Sequence, residues 1–235
     1  MEKTAKTDSR TPVSALQGLY AITPAATRDN DSLARQVELA IEGGARLIQY
    51  RNKSDNKSLP QPARYQEAQA LLAICHRYRV PLIINDDVAL AVDLAADGVH
   101  LGGEDMACLE ARERLGPSAI IGISCYNQLD RALAAQAQGA DYVAFGRFFP
   151  SRSKPQAVQA GVALLRQARQ QLRIPIVAIG GITSDNCHTL IEAGADMLAV
   201  IDAVFGEADV KAAAQRFARC FNQQSFFATE GTEIS

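Results

Sequence analysis

The chain reads as a single α/β domain, a (β/α)8 TIM barrel, and three observations carry that reading. Its 235 residues suit one barrel of roughly 250 residues. Short β-branched runs alternate with segments of helical periodicity along nearly the whole length, the pattern of parallel strands joined by crossover helices. A corner also recurs. Gly44-Ala45-Arg46-Leu47, Ala96-Asp97-Gly98-Val99, Gly139-Ala140-Asp141-Tyr142 and Gly194-Ala195-Asp196-Met197 each turn a helix end into a strand. An open dinucleotide-binding sheet would want G-x-G-x-x-G after an early strand, and Gly18-Leu19-Tyr20 does not supply it.

The elements follow in order. Residues 1–15 form a polar, flexible lead, and 16–221 the catalytic barrel. Gly18 to Thr23 is the first strand, stopped by Pro24, and Asp31 to Glu42 a helix ended by Gly43-Gly44. Arg46 to Tyr50 is the second strand; a polar loop, Ser54 to Pro62, leads into a long helix reaching Tyr78. Leu82-Ile83-Ile84, entered through Pro81, is an apolar run that suits a strand buried on both faces. A helix with Val88, Ala91, Val92 and Leu94 follows, then a fourth strand from Gly98 to Leu101. Ala119 to Ser124, Asp141 to Phe145, Ile174 to Ile179 and Met197 to Ile201 complete the strands. Helices are expected at Asn127 to Gln138, Val158 to Gln171 and Asp209 to Phe221, before a polar tail at 222–235.

Composition narrows the function. A formal charge of −2 gives no electrostatic case for nucleic acid or an anionic membrane. No run approaches the ~18 apolar residues of a membrane span, and the charged N-terminus MEKTAKTDSRTP does not read as a signal peptide. The five cysteines are odd in number and scattered without a C-x-x-C pair, the usage of a reducing cytoplasm.

In a barrel of this kind chemistry belongs to the carboxyl-terminal ends of the strands. Tyr20 and Thr23 stand at the first. Gln49, Arg51 and Lys53 alternate along one side of the second. Asn85, Asp86 and Asp105 come out at the third and fourth. Two carboxylates and an amide converging there suit a hard cation such as Mg²⁺; the plainer reading is that Asp86 and Asp105 cap the helices after them. The fifth strand ends in Ser124, and the sixth runs into Ser151-Arg152-Ser153-Lys154, a cationic, hydroxyl-bearing loop that could cradle an anion or simply be solvated. Gly180-Gly181 after the seventh strand, with Ile201-Asp202 after the eighth, occupies the phosphate corner of such barrels, although a Gly pair is more often a plain turn. Arg51 and Lys53 beside the carboxylates fit either a salt-bridge network or a Mg²⁺–pyrophosphate. Nucleophile–base pairs are not evident: Cys125 lacks a matching histidine, and His76, His100 and His188 read as structural or surface residues.

QYRNK (49–53), INDD (84–87), DGVHLG-x-ED (97–105), GIS (122–124), FPSRSKP (149–155), AIGGI (178–182) and VID (200–202) together resemble the thiamine-phosphate synthase family, in its motif order and from about Gly18 to Phe221. The resemblance implies a transferase of thiamine biosynthesis. It would condense a hydroxymethylpyrimidine diphosphate with a thiazole phosphate and release pyrophosphate by a dissociative route. It further implies that Asp86 and Asp105 ligate Mg²⁺. Gln49, Tyr50, Arg51, Asn52, Lys53 and Asn85 would hold the pyrimidine diphosphate, with Ser124 and Lys154 beside it, and Arg51, Lys53, Ser124 and Lys154 would be the catalytic groups. Ser151, Arg152, Ser153, Gly181, Ile201 and Asp202 would receive the thiazole phosphate. Three positions depart from the family pattern: Ser151 and Ser153 for threonines, Gly103 for glutamine, and Asp202 for serine. A thiazole tautomerase-like paralogue, an unrelated sugar-phosphate barrel enzyme and a non-catalytic thiamine-precursor binding protein are the competing readings. The expected partners are small molecules, and self-association into a homo-oligomer stays open.

Overall fold

A computed structural model describes residues 16–24, 32–52, 61–103, 105–150 and 158–222. Its strands are β1 (Gly18–Ile22), β2 (Ala45–Tyr50), β3 (Leu82–Asn85), β4 (Gly98–Leu101), β5 (Ile120–Tyr126), β6 (Tyr142–Gly146), β7 (Ile176–Ile179) and β8 (Met197–Val200). Between them lie α1 (Leu33–Glu42), α2 (Gln61–Arg77), α3 (Val88–Leu94), α4 (Cys108–Leu115), α5 (Leu129–Ala137), α6 (Val162–Gln171) and α7 (His188–Glu192). After β8 come α8 (Asp202–Phe205) and α9 (Val210–Asn222). Every strand pairs in parallel with its sequence neighbour, and β1 closes on β8 through Gly18↔Met197 and Ala21↔Val200. The expected (β/α)8 barrel is therefore the fold.

Strand alternation divides the core in two. Leu19, Ala21, Ile48, Tyr50, Leu82, Ile84, Val99, Leu101, Ile121, Ile123, Val143 and Phe145 pack outward against the helices. Tyr20, Ile22, Leu47, Ile83, Ile120, Tyr142, Ala144, Val177, Met197 and Ala199 fill the interior. That interior is a packed plug, as barrels of this size require. Toward the strand ends the inward positions turn polar.

The recurring corner has a physical basis. Asp97, Asp141 and Asp196 each sit just before a strand and accept a backbone N–H from the strand preceding it: Leu82 at 2.8 Å, Ile121 at 2.7 Å and Ile176 at 2.7 Å. Each also meets a side chain from a helix: the His76 imidazole at 3.1 Å, the Arg112 guanidinium at 2.6 Å and the Arg169 guanidinium at 2.8 Å. One carboxylate thus ties two strands and a helix. These clamps lie at the amino-terminal face, where a barrel is held together without doing chemistry.

Some boundaries differ from those the sequence suggests. Residues 158–160 return along the end of β6, with Arg147 N–H donating to Val158 O (3.1 Å) and Ala160 N–H to Arg147 O (2.8 Å), so α6 begins only at Val162. Neither α7 nor α8 is long enough for helical periodicity to reveal it. Among the described residues no helix is long and apolar enough to cross a membrane. The lead at 1–15 and the tail beyond Asn222 lie outside the described residues.

Candidate active site

The carboxyl-terminal mouth is built strand by strand. At its first edge Thr23, fully buried, donates its N–H to Gln49 O at 2.9 Å and accepts Arg51 N–H on Oγ1 at 2.9 Å. That pair of bonds carries β2 one residue past its formal end and holds Arg51, half-buried, at the rim. Gln49 points into the barrel, 2% exposed, with Nε2 donating to the Tyr20 hydroxyl at 2.6 Å.

Tyr50 points away from the barrel interior. The pleat turns its ring outward, where its hydroxyl donates to Glu67 of α2 at 2.7 Å and is also bonded by the Asn52 side chain. Tyr50 and Asn52 line a crevice with Arg64, Asn85 and Asp87, on the helix side of β2. Its side chain therefore lies on the helix side of the sheet, as its strand parity sets.

At β3 and β4 neither Asp86 nor Asp105 is the N-cap of the helix that follows. The residue that caps α3 is Asp87, whose Oδ1 accepts Leu90 N–H at 2.9 Å and whose other oxygen pairs with Arg64. Asp86, one residue earlier, has φ +62° and donates its N–H to His100 O at 2.9 Å. Asp105 is not a cap either. The N-cap of α4 is Ala107, and Asp105 Oδ2 accepts the Gly102 N–H in the loop after β4. Both carboxylates are half-buried at the ends of adjacent strands, with Asn85 beside them in register with His100. An all-oxygen, half-buried pair with no capping duty suits Mg²⁺. A Cβ on Gly103 would lie 3.1 Å from the Arg131 guanidinium, which stacks 5.4 Å above the Tyr126 ring.

The interior below the mouth holds an arrangement that sequence reading missed. Tyr20 Oη lies 2.8 Å from Tyr142 Oη, Tyr142 Oη 3.0 Å from His100 Nδ1, and His100 Nε2 2.9 Å from Ser124 Oγ. His100 is 8% exposed, and its ring stacks on Tyr142 at 5.6 Å. Its signal in sequence was parity: it alternates with outward-facing Val99 and Leu101. Burial raises both tyrosine hydroxyls well above their ordinary pKa, so they stay protonated.

On the far side, β7 runs into Gly180 (φ +102°) and Gly181 (φ +64°). Asn186 ties this turn by donating to Gly181 O (3.1 Å) and accepting Thr183 N–H (2.9 Å). A Cβ on Gly181 would meet Pro150 O at 2.3 Å and Phe149 O at 2.7 Å. The glycine is thus demanded by its φ and by the loop leaving β6, whatever it binds. Ile201 is half-buried beside the interior plug, and Asp202 opens α8 with its side chain exposed. Lys53, Ser151, Arg152, Ser153 and Lys154 lie outside the described residues.

Cys125 is buried, faces outward and has its thiol pushed up to about 12 by burial. Cys187, His188 and Cys220 bring their ligand atoms within 4.8 Å of one another. There, however, both thiols donate to carbonyls, Cys187 to Ser184 O (3.1 Å) and Cys220 to Arg216 O (3.5 Å).

Fold and mouth together define a (β/α)8 barrel with Gln49, Asn85, Asp86, Asp105 and Ser124 at the carboxyl-terminal ends of its strands. The particular family comes from comparison with known proteins. A family model described as thiamine monophosphate synthase matches residues 19–204. The thiamine-phosphate synthase of Nitrosococcus oceani is 52% identical over 208 residues, 88% of this chain and 94% of that one. That of Nitrosospira multiformis is 50% identical over 218 residues, 93% and 91% of the two chains. Among solved structures, the thiamine phosphate pyrophosphorylase of Pyrococcus furiosus superposes with a TM-score of 0.79 at 34% identity, covering 90% of this chain and 98% of that one. The chain belongs to the thiamine monophosphate synthase family, and with it to the transferases.

Proposed function

We propose that this chain condenses a hydroxymethylpyrimidine diphosphate with a thiazole phosphate to give thiamine phosphate and pyrophosphate. One observation supports the reading: Asn85, Asp86 and Asp105 stand at the ends of neighbouring strands β3 and β4, with Arg51 just past the end of adjacent β2, and neither carboxylate is the N-cap of the helix that follows. A pyrophosphate bound through a divalent ion needs both carboxylates and cations, and a tautomerase or a passive binding protein has no use for the full set.

Asp86 and Asp105 would hold Mg²⁺. When bound, it would neutralise charge gathering on the departing pyrophosphate. Arg51, with Lys53 and Lys154, would hold the remaining phosphate oxygens. Gln49, Asn85 and Ser124 would fix the pyrimidine end, and Tyr50 and Asn52 would add backbone groups at the rim. The C–O bond to pyrophosphate breaks first, and the thiazole nitrogen then captures the pyrimidinylmethyl cation. Charge stabilisation of this type requires no general base. Gly181, Ile201 and Asp202 would receive the thiazole phosphate through backbone N–H groups, which lets the exposed Asp202 carboxylate turn to solvent; Ser151, Arg152 and Ser153 would bind the same phosphate. Five buried free thiols suit a cytoplasmic enzyme.

The test is an assay of the purified protein with both phosphorylated substrates, following thiamine phosphate and pyrophosphate with and without Mg²⁺. Equal amounts of both products, dependent on Mg²⁺, are expected. Absence of product with both substrates and Mg²⁺ present would overturn the reading.

A further inference from the structure

We infer that Tyr142 and His100 are positioning residues. With Tyr20 they form a proton-ordered chain from Gln49 to Ser124 that fixes Ser124 as a hydrogen-bond donor to the pyrimidine diphosphate. The inference rests on the function proposed above for its ligand, but not for its geometry.

The assigned order starts at Gln49 and spends one proton at each hydroxyl. The Gln49 amide donates to Tyr20 Oη at 2.6 Å, so the single Tyr20 proton is available for Tyr142 Oη at 2.8 Å. Tyr142, having accepted, donates its own proton to His100 Nδ1 at 3.0 Å. A neutral imidazole that accepts at Nδ1 carries its proton on Nε2, and that N–H donates to Ser124 Oγ at 2.9 Å. The serine proton is then directed elsewhere, to the mouth. The same order leaves Gln49 Oε1 as an acceptor. One acceptor and one donor, set by one chain, complement an aminopyrimidine, whose exocyclic amine donates and whose ring nitrogens accept. The opposite order would spend the serine proton on His100 and turn oxygen lone pairs toward an anionic ligand, which is unfavourable.

A second feature is built around the same chain. Gly122 lies opposite Tyr142 in the β5–β6 register, and a Cβ on it would fall 1.9 Å from the phenol ring. The missing side chain makes the room in which Tyr142 crosses the interior to reach both Tyr20 and His100. Tyr20 meets its ring edge-on at 5.9 Å, and His100 stacks on it with ring planes 19° apart.

The first measurement is the tautomer of His100 in the substrate-free wild-type protein, read from its ¹⁵N NMR shifts. Neutral Nε2–H is expected. Either Nδ1–H or a doubly protonated ring overturns the proposal, and this readout is independent of whether the enzyme accepts the proposed substrates. The second is a kinetic cycle. Tyr142→Phe keeps the ring and should lower kcat/KM for the pyrimidine diphosphate by ~10-fold or more, as loss of one hydrogen bond to a charged ligand would. KM for the thiazole phosphate should stay within about twofold. Ser124→Ala should cost at least as much, and adding Tyr142→Phe to it should cost nothing further, because both act through one donor. Losses that multiply would make Tyr142 a mere packing residue and overturn the assignment.

Discussion

At the scale of single residues, the pairing of Asp86 with Asp87 is the instructive case. Two adjacent aspartates at a strand end are indistinguishable in sequence, yet one caps α3 and the other does not. Asp86→Asn, which keeps the side-chain shape and tolerates the left-handed φ of +62°, should weaken Mg²⁺-dependent activity by at least the ~10–100-fold typical of altered metal sites. Excess Mg²⁺ should restore part of it. Normal activity of that variant at limiting Mg²⁺ would remove Asp86 from the metal site. Arg51→Ala should lower kcat/KM for the pyrimidine diphosphate by roughly 10–150-fold, the worth of a charge-assisted hydrogen bond; steady-state kinetics within threefold of the parent would demote it to a rim residue. Cys75 and Cys125 should be inert. Burial pushes the Cys75 and Cys125 thiols up to about 12, so near pH 8 almost no thiolate exists to react. Fast labelling of either by a thiol reagent in the folded protein, mapped by peptide mass, would contradict their burial.

At the scale of elements, what was legible in sequence followed from periodicity. The strands were visible because apolar β-branched runs are short and bounded by Gly, Pro or Asp, and the four repeated corners marked where strands begin. Hidden were features set by parity and by contact across the barrel. Tyr50 belongs to a motif by its place in the chain and to the helix face by its pleat. His100, isolated from other polar residues along β4, gave no hint that Tyr142 and Ser124 would meet it. Gly181 looked like a phosphate turn alone, but it is also jammed against Phe149 and Pro150. A bulky residue at Gly181 would therefore deform two loops at once, which makes it a poor probe of phosphate binding. Gly122 offers a cleaner test of element packing. Gly122→Ala should force the Tyr142 ring aside at a cost of about 1–3 kcal/mol, the usual range for overpacking. Chemical denaturation should show it, together with lost activity toward the pyrimidine substrate. An unaltered denaturation midpoint would mean that the β5–β6 contact is looser than the structure indicates.

At the scale of the whole molecule, the barrel separates the work of its two faces. The amino-terminal clamps of Asp97, Asp141 and Asp196 share no partners, and each joins two strands and a helix. Removing one leaves a strand N–H without its acceptor and a helix cation without its mate, so Asp141→Ala should cost about 1–3 kcal/mol of stability. Combining it with Asp97→Ala should add the two losses, as expected for sites without common contacts. Asp196 carries a further signature. Burial is the largest influence on its carboxyl and raises its pKa above the ordinary value despite Arg169 and the Ile176 N–H. A raised folded-state pKa means that its contribution is full below the unfolded value and is lost as pH rises through the folded one. Asp196→Asn should therefore flatten a decline in stability that the parent shows from the acid range upward, measured by denaturation at a series of pH values. None of these variants should alter kcat/KM at a temperature where it is fully folded, because the clamps sit at the opposite end of the strands from Gln49, Asp86 and Ser124. A folded Asp141→Ala protein with activity reduced tenfold would show the two faces to be coupled, and the barrel would then be a transmitter between them instead of a rigid support.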